Sequence, residues 1–289
     1  MKLARPDLFH PRIVLAGCPR HVTGDGDDAG LVAALRRRGL HARWLSWDDP
    51  EAGRADLVIL RATSDYAERL DAFLAWTNVM ANVLNPPAVV AWNADRHYLA
   101  DLARAGVPTV PGEFFAPGEP VRVPRGGHVF VGPAVGTGSR RWADRVSAAA
   151  DAGKLHSAGR SVLLQACDTS PESVLVYVGG EPSHAFAVRD SRLVQAEPDP
   201  EIWAVGAVAL TAAAVRTGCA RRELLYARAH VLGDHRESRL LELQLVEPSL
   251  GWRRLEPGAR ELAERGFALA VESACDRLGI GPIRHPFPH

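Results

Sequence analysis

The chain has 289 residues, of which 47% are hydrophobic and 24% are charged, and this composition excludes disordered and fibrous proteins. Arginine and lysine together number 34, as do aspartate and glutamate, so the formal net charge is zero. A neutral chain gives no sign of a nucleic-acid partner or of binding to an acidic membrane surface.

The first 110 residues alternate short apolar runs with helical patterns. These patterns predict strands at 13–17, 56–61 and 89–92, and helices at 27–38, 67–83 and 95–105. Such alternation is typical of a parallel sheet with helices on its faces, where ligands bind at the carboxyl ends of the strands.

Beyond a stretch rich in proline and glycine at 116–127, the pattern changes to that of antiparallel strands. Gly179-Gly180 predicts a tight hairpin turn, and Gly233-Asp234 predicts a second turn. The sequence therefore predicts an α/β lobe followed by an antiparallel α+β region. The predicted strands lie at 129–131, 162–165, 174–178, 183–188, 225–231 and 239–246, and the helices at 202–217 and 257–278.

Neither a membrane span nor a disulfide framework is predicted. The longest mostly apolar run, 204–215, is too short to cross a bilayer, and no charged-then-apolar leader is visible at the N-terminus. We therefore expect a cytoplasmic protein with no membrane partner. The cysteines contain no CxxC pair, so reduced thiols are expected rather than a zinc site. They are Cys18, Cys167, Cys219 and Cys275.

A first candidate site is the segment 61–66, which lies at the end of a predicted strand and just before a helix. Its members Arg61, Asp65 and Tyr66 carry groups that can bind an anionic or amino substrate at a strand's carboxyl end. The alternative is that Ser64 or Asp65 only caps the following helix.

A second candidate is the glycine-rich loop 131–139, which follows a predicted strand and contains Gly132, Gly136 and Gly138. Backbone N–H groups in such a loop can hold phosphates. The loop has no Walker lysine and does not match a dinucleotide-binding motif, so taken alone it is a weak indication.

A third candidate lies on two neighbouring strands that a hairpin would bring together. Strand alternation places Arg228 and His230 on one face of the first strand, and Glu242 and Gln244 on one face of the second. A carboxylate, an amide and an imidazole could bind a metal, and a solvated sheet face is the alternative.

Taken in this order, the segments resemble the ATP-grasp superfamily, especially its glutathione-synthetase-like and cycloserine-biosynthesis-ligase-like members. The similarity extends over 12–250. Its most specific parts are Trp47-Asp48-Asp49-Pro50, the segments 61–66 and 84–102, Tyr226-Ala227-Arg228 and the segment 242–250.

The resemblance implies a fold of three lobes: an N-terminal α/β lobe at 1–110, a small lobe at 111–180 and a C-terminal lobe at 181–289. It implies ATP and Mg²⁺ as cofactors, and a ligase reaction in which a carboxylate becomes an acyl phosphate that an amine attacks. Arg61, Asp65 and Tyr66 would then lie near the acceptor substrate. The implied nucleotide-binding positions are Arg96, Gly132, Gly136, Gly138, Gln165, Glu172 and Arg228, with Gln165 at the adenine hinge, and the implied metal positions are His230, Glu242 and Gln244.

Several of these positions depart from the family pattern. Arg96 and Gly132 stand where the family has lysines, and His230 stands where it has an aspartate metal ligand. Gln244 replaces the second acid of a Glu-Leu-Glu segment, so only Glu242 keeps its expected carboxylate. Phosphoryl transfer depends on cations that neutralise developing charge, and Mg²⁺ prefers oxygen ligands. The chain's two lysines, Lys2 and Lys154, lie elsewhere in the sequence.

These departures favour an ATP-grasp protein with impaired or lost ligase activity that binds a nucleotide or small ligand, which would make it a pseudoenzyme. The alternative is an active carboxylate–amine ligase with a rearranged site, in which Glu242 and Glu247 hold the metal and arginines hold the phosphates; the candidates are Arg96, Arg140, Arg189 and Arg192. A third hypothesis is an interaction scaffold, for which the helix 202–217 and the final helix could supply a homodimer face, with burial of these helices in the core as the alternative.

Overall fold

A computed structural model describes residues 10–125, 127–167 and 169–281, which form three β-sheets with helices packed on them. One sheet is parallel and the other two contain antiparallel strand pairs. The predicted combination of an α/β lobe and an antiparallel α+β region is thus confirmed. No helix in the described part of the chain is long and apolar enough to cross a membrane.

The N-terminal sheet has the strand order β2-β1-β3-β4, with each pairing parallel. Its two central strands, β1 and β3, are apolar runs that are buried on both faces, as expected for a sheet covered by helices. The strands are β1 (Arg12–Gly17), β2 (His41–Ser46), β3 (Leu57–Ala62) and β4 (Val83–Leu84), and the helices are α1 (Leu31–Arg37), α2 (Leu70–Val79), α3 (Pro87–Asn93) and α4 (Tyr98–Arg104).

One predicted strand of this lobe is wrong. The segment 89–92 is helical and belongs to α3, which begins at Pro87 directly after Pro86. Proline at the first helical position fits a helix start because its fixed φ is already helical and its missing N–H needs no partner. The β-branched pair Val89 and Val90 suggested a strand, but both are buried against neighbouring elements. The fourth strand is instead the short β4, which precedes the prolines.

The second sheet has the order β5-β8-β6-β7 and carries one helix. Phe115, Val131 and Leu164 of this sheet pack on Ala148 and Ala152 of that helix and form a separate apolar core. Its elements are β5 (Gly112–Phe115), β6 (His128–Pro133), β7 (Arg140–Trp142), α5 (Arg145–Ser157) and β8 (Val162–Cys167). We call this unit the small lobe.

The C-terminal sheet has the order β11-β10-β9-β12-β13 and is antiparallel. Gly179 and Gly180 both have positive φ and form the predicted hairpin between β9 and β10. Because β9 belongs to this sheet, the sheet begins at Glu172, inside the segment predicted for the small lobe. Its elements are β9 (Glu172–Val178), β10 (Glu181–Arg189), β11 (Arg192–Ala196), α6 (Pro200–Thr217), β12 (Tyr226–Gly233), β13 (Ser238–Gln244) and α7 (Pro257–Arg277).

Buried polar side chains fix the N-terminal lobe against the C-terminal sheet. Asn85 donates from Nδ2 to the carbonyls of Tyr226 (3.0 Å) and Leu245 (2.8 Å), and its Oδ1 accepts from the N–H of Leu225 (2.6 Å). The hydroxyl of Tyr226 donates towards backbone carbonyls of β3 and β4. The carboxyl ends of the parallel strands therefore face β12 and β13.

Candidate functional site

A cavity of about 630 Å³ opens where the N-terminal sheet meets the C-terminal sheet, and we call it the central pocket. It lies at the carboxyl ends of β1 and β3, where ligands of parallel sheets are expected. Seven of its lining residues belong to the predicted positions: Arg61, Tyr66, Arg96, Gly136, Arg228, Glu242 and Gln244. Others were not predicted: Asp27, Asp28, Asn93, Tyr98, Thr137 and Ser249.

Arg61 is held rigidly at one wall of the central pocket. Its Nε and Nη2 donate to both carboxylate oxygens of Asp28 at 3.1 and 3.0 Å, and the two side chains are 1% and 7% exposed. The guanidinium also lies 5.2 Å from the centre of the Tyr226 ring. Its Nη1 is buried without a hydrogen-bond partner among the described residues. Arg61 is thus a fixed cation with one unused donor.

Asp65 and Tyr66 lie on a short 3₁₀ turn at 64–68, after which α2 begins at Leu70. Asp65 accepts from Nε1 of Trp47 at 3.0 Å and pairs with Arg69, so it holds this wall together rather than facing the pocket. Tyr66 is buried and lines the pocket. No side chain of this segment caps α2, whose N-cap position is Arg69.

The guanidinium of Arg96 is bound to the carboxylate of Glu242 in the interior of the protein. Nε and Nη2 of Arg96 both donate to Oε1 of Glu242, at 3.1 and 2.5 Å, and the side chains are 5% and 6% exposed. Nη1 of Arg96 donates to the carbonyl of Pro133. Burial, the largest single effect, would raise the pKa of Glu242, but the surrounding charges and hydrogen bonds, led by the charge of Arg96, together lower that pKa. Glu242, the one carboxylate that remains at the implied metal positions, is therefore neutralised by Arg96.

Gly132 lies on β6 directly beside this ion pair. A Cβ atom at this position would lie 2.6 Å from Oγ of Ser139 and 2.9 Å from Nη1 of Arg96. The guanidinium of Arg96 thus occupies the space in which a longer side chain at 132 would begin. In the following loop, the N–H of Gly136 donates to the carbonyl of Ala94 at 3.3 Å. Gly138 has a φ of +98°.

The hairpin of β12 and β13 places Arg228 opposite Gln244 and His230 opposite Glu242. Nδ1 of His230 lies 2.7 Å from Oε1 of Glu172, and Nε of Arg228 donates to Nε2 of His230 at 3.0 Å. An arginine Nε–H can only donate, so Nε2 of His230 is the acceptor in this bond. His230 is therefore engaged by protein groups on both sides.

This donor set does not fit Mg²⁺, which prefers oxygen ligands in octahedral geometry. Glu242 is bound to Arg96, His230 presents nitrogen, and Gln244 is uncharged. In the described part of the chain, no group of three or more histidine, cysteine, aspartate or glutamate side chains is arranged to hold a metal ion. Neither a phosphate lysine nor a second metal carboxylate stands at the positions where the resemblance would require them.

Gln165 lies at the junction of the small lobe with the C-terminal sheet. Its Nε2 donates to the carbonyls of Val110 (3.1 Å) and Leu241 (3.2 Å), while its buried Oε1 has no partner among the described residues. A cavity of about 170 Å³ opens at this edge and is lined by Val110 and Leu232. Small-molecule sites usually measure about 300–1,000 Å³, so this space is small for a nucleoside.

Glu247 also lines the central pocket. The sequence suggested it only as a metal ligand in the active-ligase alternative. Burial raises its pKa to about 8, although the charge of Arg61 opposes the shift. At neutral pH its carboxyl group is therefore largely protonated and can donate a hydrogen bond. Arg228 also lines the pocket, and burial lowers its pKa. No ion pair joins Arg228 to a carboxylate within the described ranges.

Asp27 and Asp28 could have been predicted from one signal. The cluster Asp25-Gly26-Asp27-Asp28 follows the first strand of a parallel sheet, where polar side chains reach the ligand edge. Asp27 accepts from the backbone N–H groups of Gly251 and Arg253 at 2.9 Å each. The partners of these acids lie far away in sequence, so their role in the pocket wall was not visible locally.

Three comparisons with known proteins all find similarity to a cycloserine synthetase. Residues 13–85 match the model of the N-terminal domain of the D-cycloserine synthetase DcsG. The cycloserine biosynthesis protein DcsG of Streptomyces lavendulae is 29% identical over 283 residues, covering 83% of this chain and 92% of that protein. The crystal structure of D-cycloserine synthetase DcsG superposes with a TM-score of 0.73 at 26% identity, covering 92% of this chain and 99% of the other.

More distant structures share the fold. D-alanine–D-alanine ligase from Bacillus anthracis complexed with ATP superposes with a TM-score of 0.68 at 12% identity, covering 94% of this chain and 99% of that one. The ATP-grasp ligase PsnB with its minimal precursor gives a TM-score of 0.57 at 17% identity, covering 91% of this chain and 99% of that one. The chain thus has the architecture of these ligases over nearly its whole length.

Proposed function

Because the chain belongs to the ATP-grasp superfamily of ligases, we propose that it binds a small carboxylate-bearing molecule in its central pocket and has lost the turnover of MgATP. The family implies ATP and Mg²⁺ as cofactors. The residues of this chain that stand at the corresponding positions do not fit the role of holding them.

The buried ion pair of Arg96 and Glu242 carries the proposal. A metal ion at Glu242 would have to share its carboxylate with a guanidinium that donates two hydrogen bonds to one of its oxygens and a third to Pro133. Leaving a buried charge without its partner costs about 3–5 kcal/mol. The internal cation therefore competes with any metal, and a neutral imidazole at His230 does not supply the missing negative charge.

The charges in the central pocket support a carboxylate as the ligand group. The carboxylate of Asp28 is neutralised by Arg61, and that of Glu242 by Arg96. Arg228 remains as a half-buried cation at the wall, and the protonated Glu247 adds a neutral donor. A monoanion bound at Arg228 would pair with this cation through charge-assisted hydrogen bonds. D-Alanine, named in one of the relatives, is a suitable carboxylate probe, and D-cycloserine, named in another, carries an acidic ring N–H in place of a carboxylate and serves as the comparison probe.

A restored variant tests the loss of MgATP binding directly. It combines Arg96→Lys, Gly132→Lys, His230→Asp and Gln244→Glu; the first two changes must be made together because a side chain at 132 would collide with Arg96. By titration calorimetry, we expect no magnesium-dependent ATP binding by the wild-type protein and measurable binding by the restored variant. Circular dichroism checks that both are folded.

A variant with Arg104→Lys and Gly153→Lys adds the same two lysines at exposed positions and serves as the matched control. A Cβ at Gly153 meets no atom within 4 Å, so this control is sterically tolerated. Magnesium-dependent ATP binding by the wild-type protein, or a folded restored variant that binds no better than the control, would contradict the proposal.

The active-ligase alternative makes the opposite prediction for Glu242. If Glu242 and Glu247 held a catalytic metal, the wild-type protein would release ADP in a magnesium-dependent way with a carboxylate and an amine, and Glu242→Gln would abolish it. For a pocket without metal, melting-temperature shifts with the probes should persist in EDTA. A shift that disappears with EDTA would favour the alternative.

A further inference from the structure

Arg228 is the cation of the central pocket that would bind a ligand carboxylate, and protein groups hold its guanidinium in place. Its Nε donates to Nε2 of His230 at 3.0 Å, and its Nη1 donates to the carbonyl of Ser249 at 3.0 Å. Nη2 has no hydrogen-bond partner among the described residues. A planar guanidinium that is bonded at two nitrogens has little freedom to turn, so Nη2 is the donor left for a ligand.

His230 and Glu172 form a chain of hydrogen bonds that ends at Arg228, and neither belongs to the described residues that line the pocket. Because Nε2 of His230 accepts from Arg228, Nδ1 is left to donate to Oε1 of Glu172 at 2.7 Å. The other carboxylate oxygen, Oε2, lies 3.6 Å from Nη1 of Arg141 on β7. The side chains of His230 and Glu172 are only 13% and 8% exposed, so water competes little for these bonds.

An imidazole suits position 230 because it can accept on one nitrogen while it donates on the other. The aspartate that the family resemblance places there is an acceptor only when it is ionised, so it could accept from Arg228 but could not donate to Glu172. It would also place two like charges side by side, which disfavours the ionised form of both. His230 therefore joins a carboxylate to a guanidinium where the resemblance implies a metal ligand.

We propose that Glu172 and His230 are positioning residues, which orient Arg228 so that its Nη2 meets the carboxylate of the ligand. This role rests on the proposed function, since it concerns the same pocket and the same cation. A long side chain loses conformational freedom when it binds a ligand, and that cost falls when the free protein already holds the bound orientation. Removal of either positioning residue should therefore weaken ligand binding through Arg228.

Two matched pairs of variants separate positioning from packing. His230→Gln keeps an amide oxygen that can accept from Arg228, and Glu172→Gln keeps an acceptor for Nδ1, whereas His230→Met and Glu172→Met fill similar volumes without these acceptors. By titration calorimetry, the methionine variants should bind D-alanine about tenfold more weakly than the wild-type protein, and the glutamine variants within about threefold of it. His156→Met on α5 is the control, because that ring contacts only the carbonyl of Phe115 among the printed bonds of the small lobe and should leave binding unchanged.

Nitrogen NMR of the ligand-free protein tests the same role without any ligand. The ring of His230 should carry its hydrogen on Nδ1 and none on Nε2. The Nε–H signal of Arg228 is assigned by its loss in Arg228→Lys. In the wild-type protein and in His230→Gln, this hydrogen should exchange with water at least about tenfold more slowly than in His230→Met. Circular dichroism checks that all variants are folded.

Three results would overturn the positioning role. They are a hydrogen on Nε2 of His230, equal exchange of the Arg228 Nε–H in the wild-type protein and His230→Met, and equal D-alanine affinities of the methionine and glutamine variants. A wild-type protein that does not bind D-alanine would instead contradict the proposed function. The two failures are distinguishable because the NMR measurements need no ligand.

Discussion

The pocket carboxyl of Glu247 makes stability depend on pH in a direction opposite to that of most acids. Burial raises its pKa from 4.5 to about 8 in the folded protein. Between these values the unfolded chain has released the proton that the folded protein keeps, so the free energy of unfolding falls as the pH rises. The contribution of Glu247 to the free energy of unfolding is fully present below pH 4.5 and is lost as the pH approaches about 8.

We therefore expect Glu247→Gln, which cannot titrate, to flatten the pH dependence over this window. The free energy of unfolding is plotted against pH for the wild-type protein and for the variant. The slopes of the two plots should differ by at most about 1.4 kcal/mol per pH unit. Urea unfolding at a series of pH values measures it. Glu113→Gln on an exposed strand position is the control. Parallel profiles for the wild-type protein and Glu247→Gln would show that the carboxyl is ionised in the folded state.

Local sequence reasoning identified the chemistry of single residues but not their partners. Alternation along two strands predicted that Arg228 and His230 would meet Glu242 and Gln244, and the structure pairs His230 with Glu242 and Arg228 with Gln244. The pairing of Arg96 with Glu242 joins positions 146 residues apart, and no local pattern indicates it. The tertiary fold determines which carboxylate lies beside a buried arginine. The Arg96–Glu242 ion pair could therefore be identified only from the structure.

At the scale of elements, two asparagines act as connectors between the lobes. Asn93 donates from Nδ2 to the carbonyl of Leu243 at 2.9 Å and accepts from the N–H of Leu245 at 2.6 Å. Together with Asn85, it satisfies backbone groups of the C-terminal sheet from the N-terminal lobe. An amide suits this role because it offers donors and an acceptor from one side chain.

Asn85→Asp should lower the free energy of unfolding by at least about 2 kcal/mol, because it removes both donors and faces a carboxylate towards two buried carbonyls. Urea denaturation at neutral pH measures the loss. Asn78→Asp is the control, since that amide donates to the carbonyl of Leu74 from an exposed position on α2. Equal losses for the two variants would mean that Asn85 does not join the lobes.

The sequence predicted the long, strongly patterned elements and missed the weakly patterned ones. The helices α6 and α7 and the strands β9, β10 and β12 agree with their predictions to within a few residues. The helix α5 was missed because its alanines form no distinct apolar stripe. The edge strand β2 was missed because polar residues interrupt its apolar ones and only Ala42 is fully buried. Edge strands and small-residue helices depend on tertiary packing, which a local pattern does not carry.

At the scale of the whole molecule, the apolar cores divide the chain unevenly. Residues of β1 and α1 share one core with residues of β9, β12 and α7, so the N-terminal and C-terminal lobes are continuous. The small lobe keeps a core of its own. A unit with a separate core can open without unfolding the remainder.

One contact between the small lobe and the C-terminal sheet is a small apolar cluster that contains Phe130. Its side chain is 7% exposed and packs with Cys167 of the small lobe, Leu232 and Leu241 of the C-terminal sheet, and Val110 between them. This cluster lies between the two antiparallel sheets, beside the small cavity that Val110 and Leu232 line. Phe130 is its one aromatic member, so its removal should weaken this contact most.

Phe130→Ala should open the small lobe selectively. Removing a buried phenylalanine costs about 3–5 kcal/mol, and here the loss falls on the contact between two bodies rather than inside either core. In hydrogen–deuterium exchange, we expect faster exchange in β6, β7 and β8 and unchanged exchange in β1 and β3. Phe73→Ala, in the core of the N-terminal lobe, should show the reverse pattern. If Phe130→Ala speeds exchange equally in all three sheets, the small lobe does not move as a separate unit.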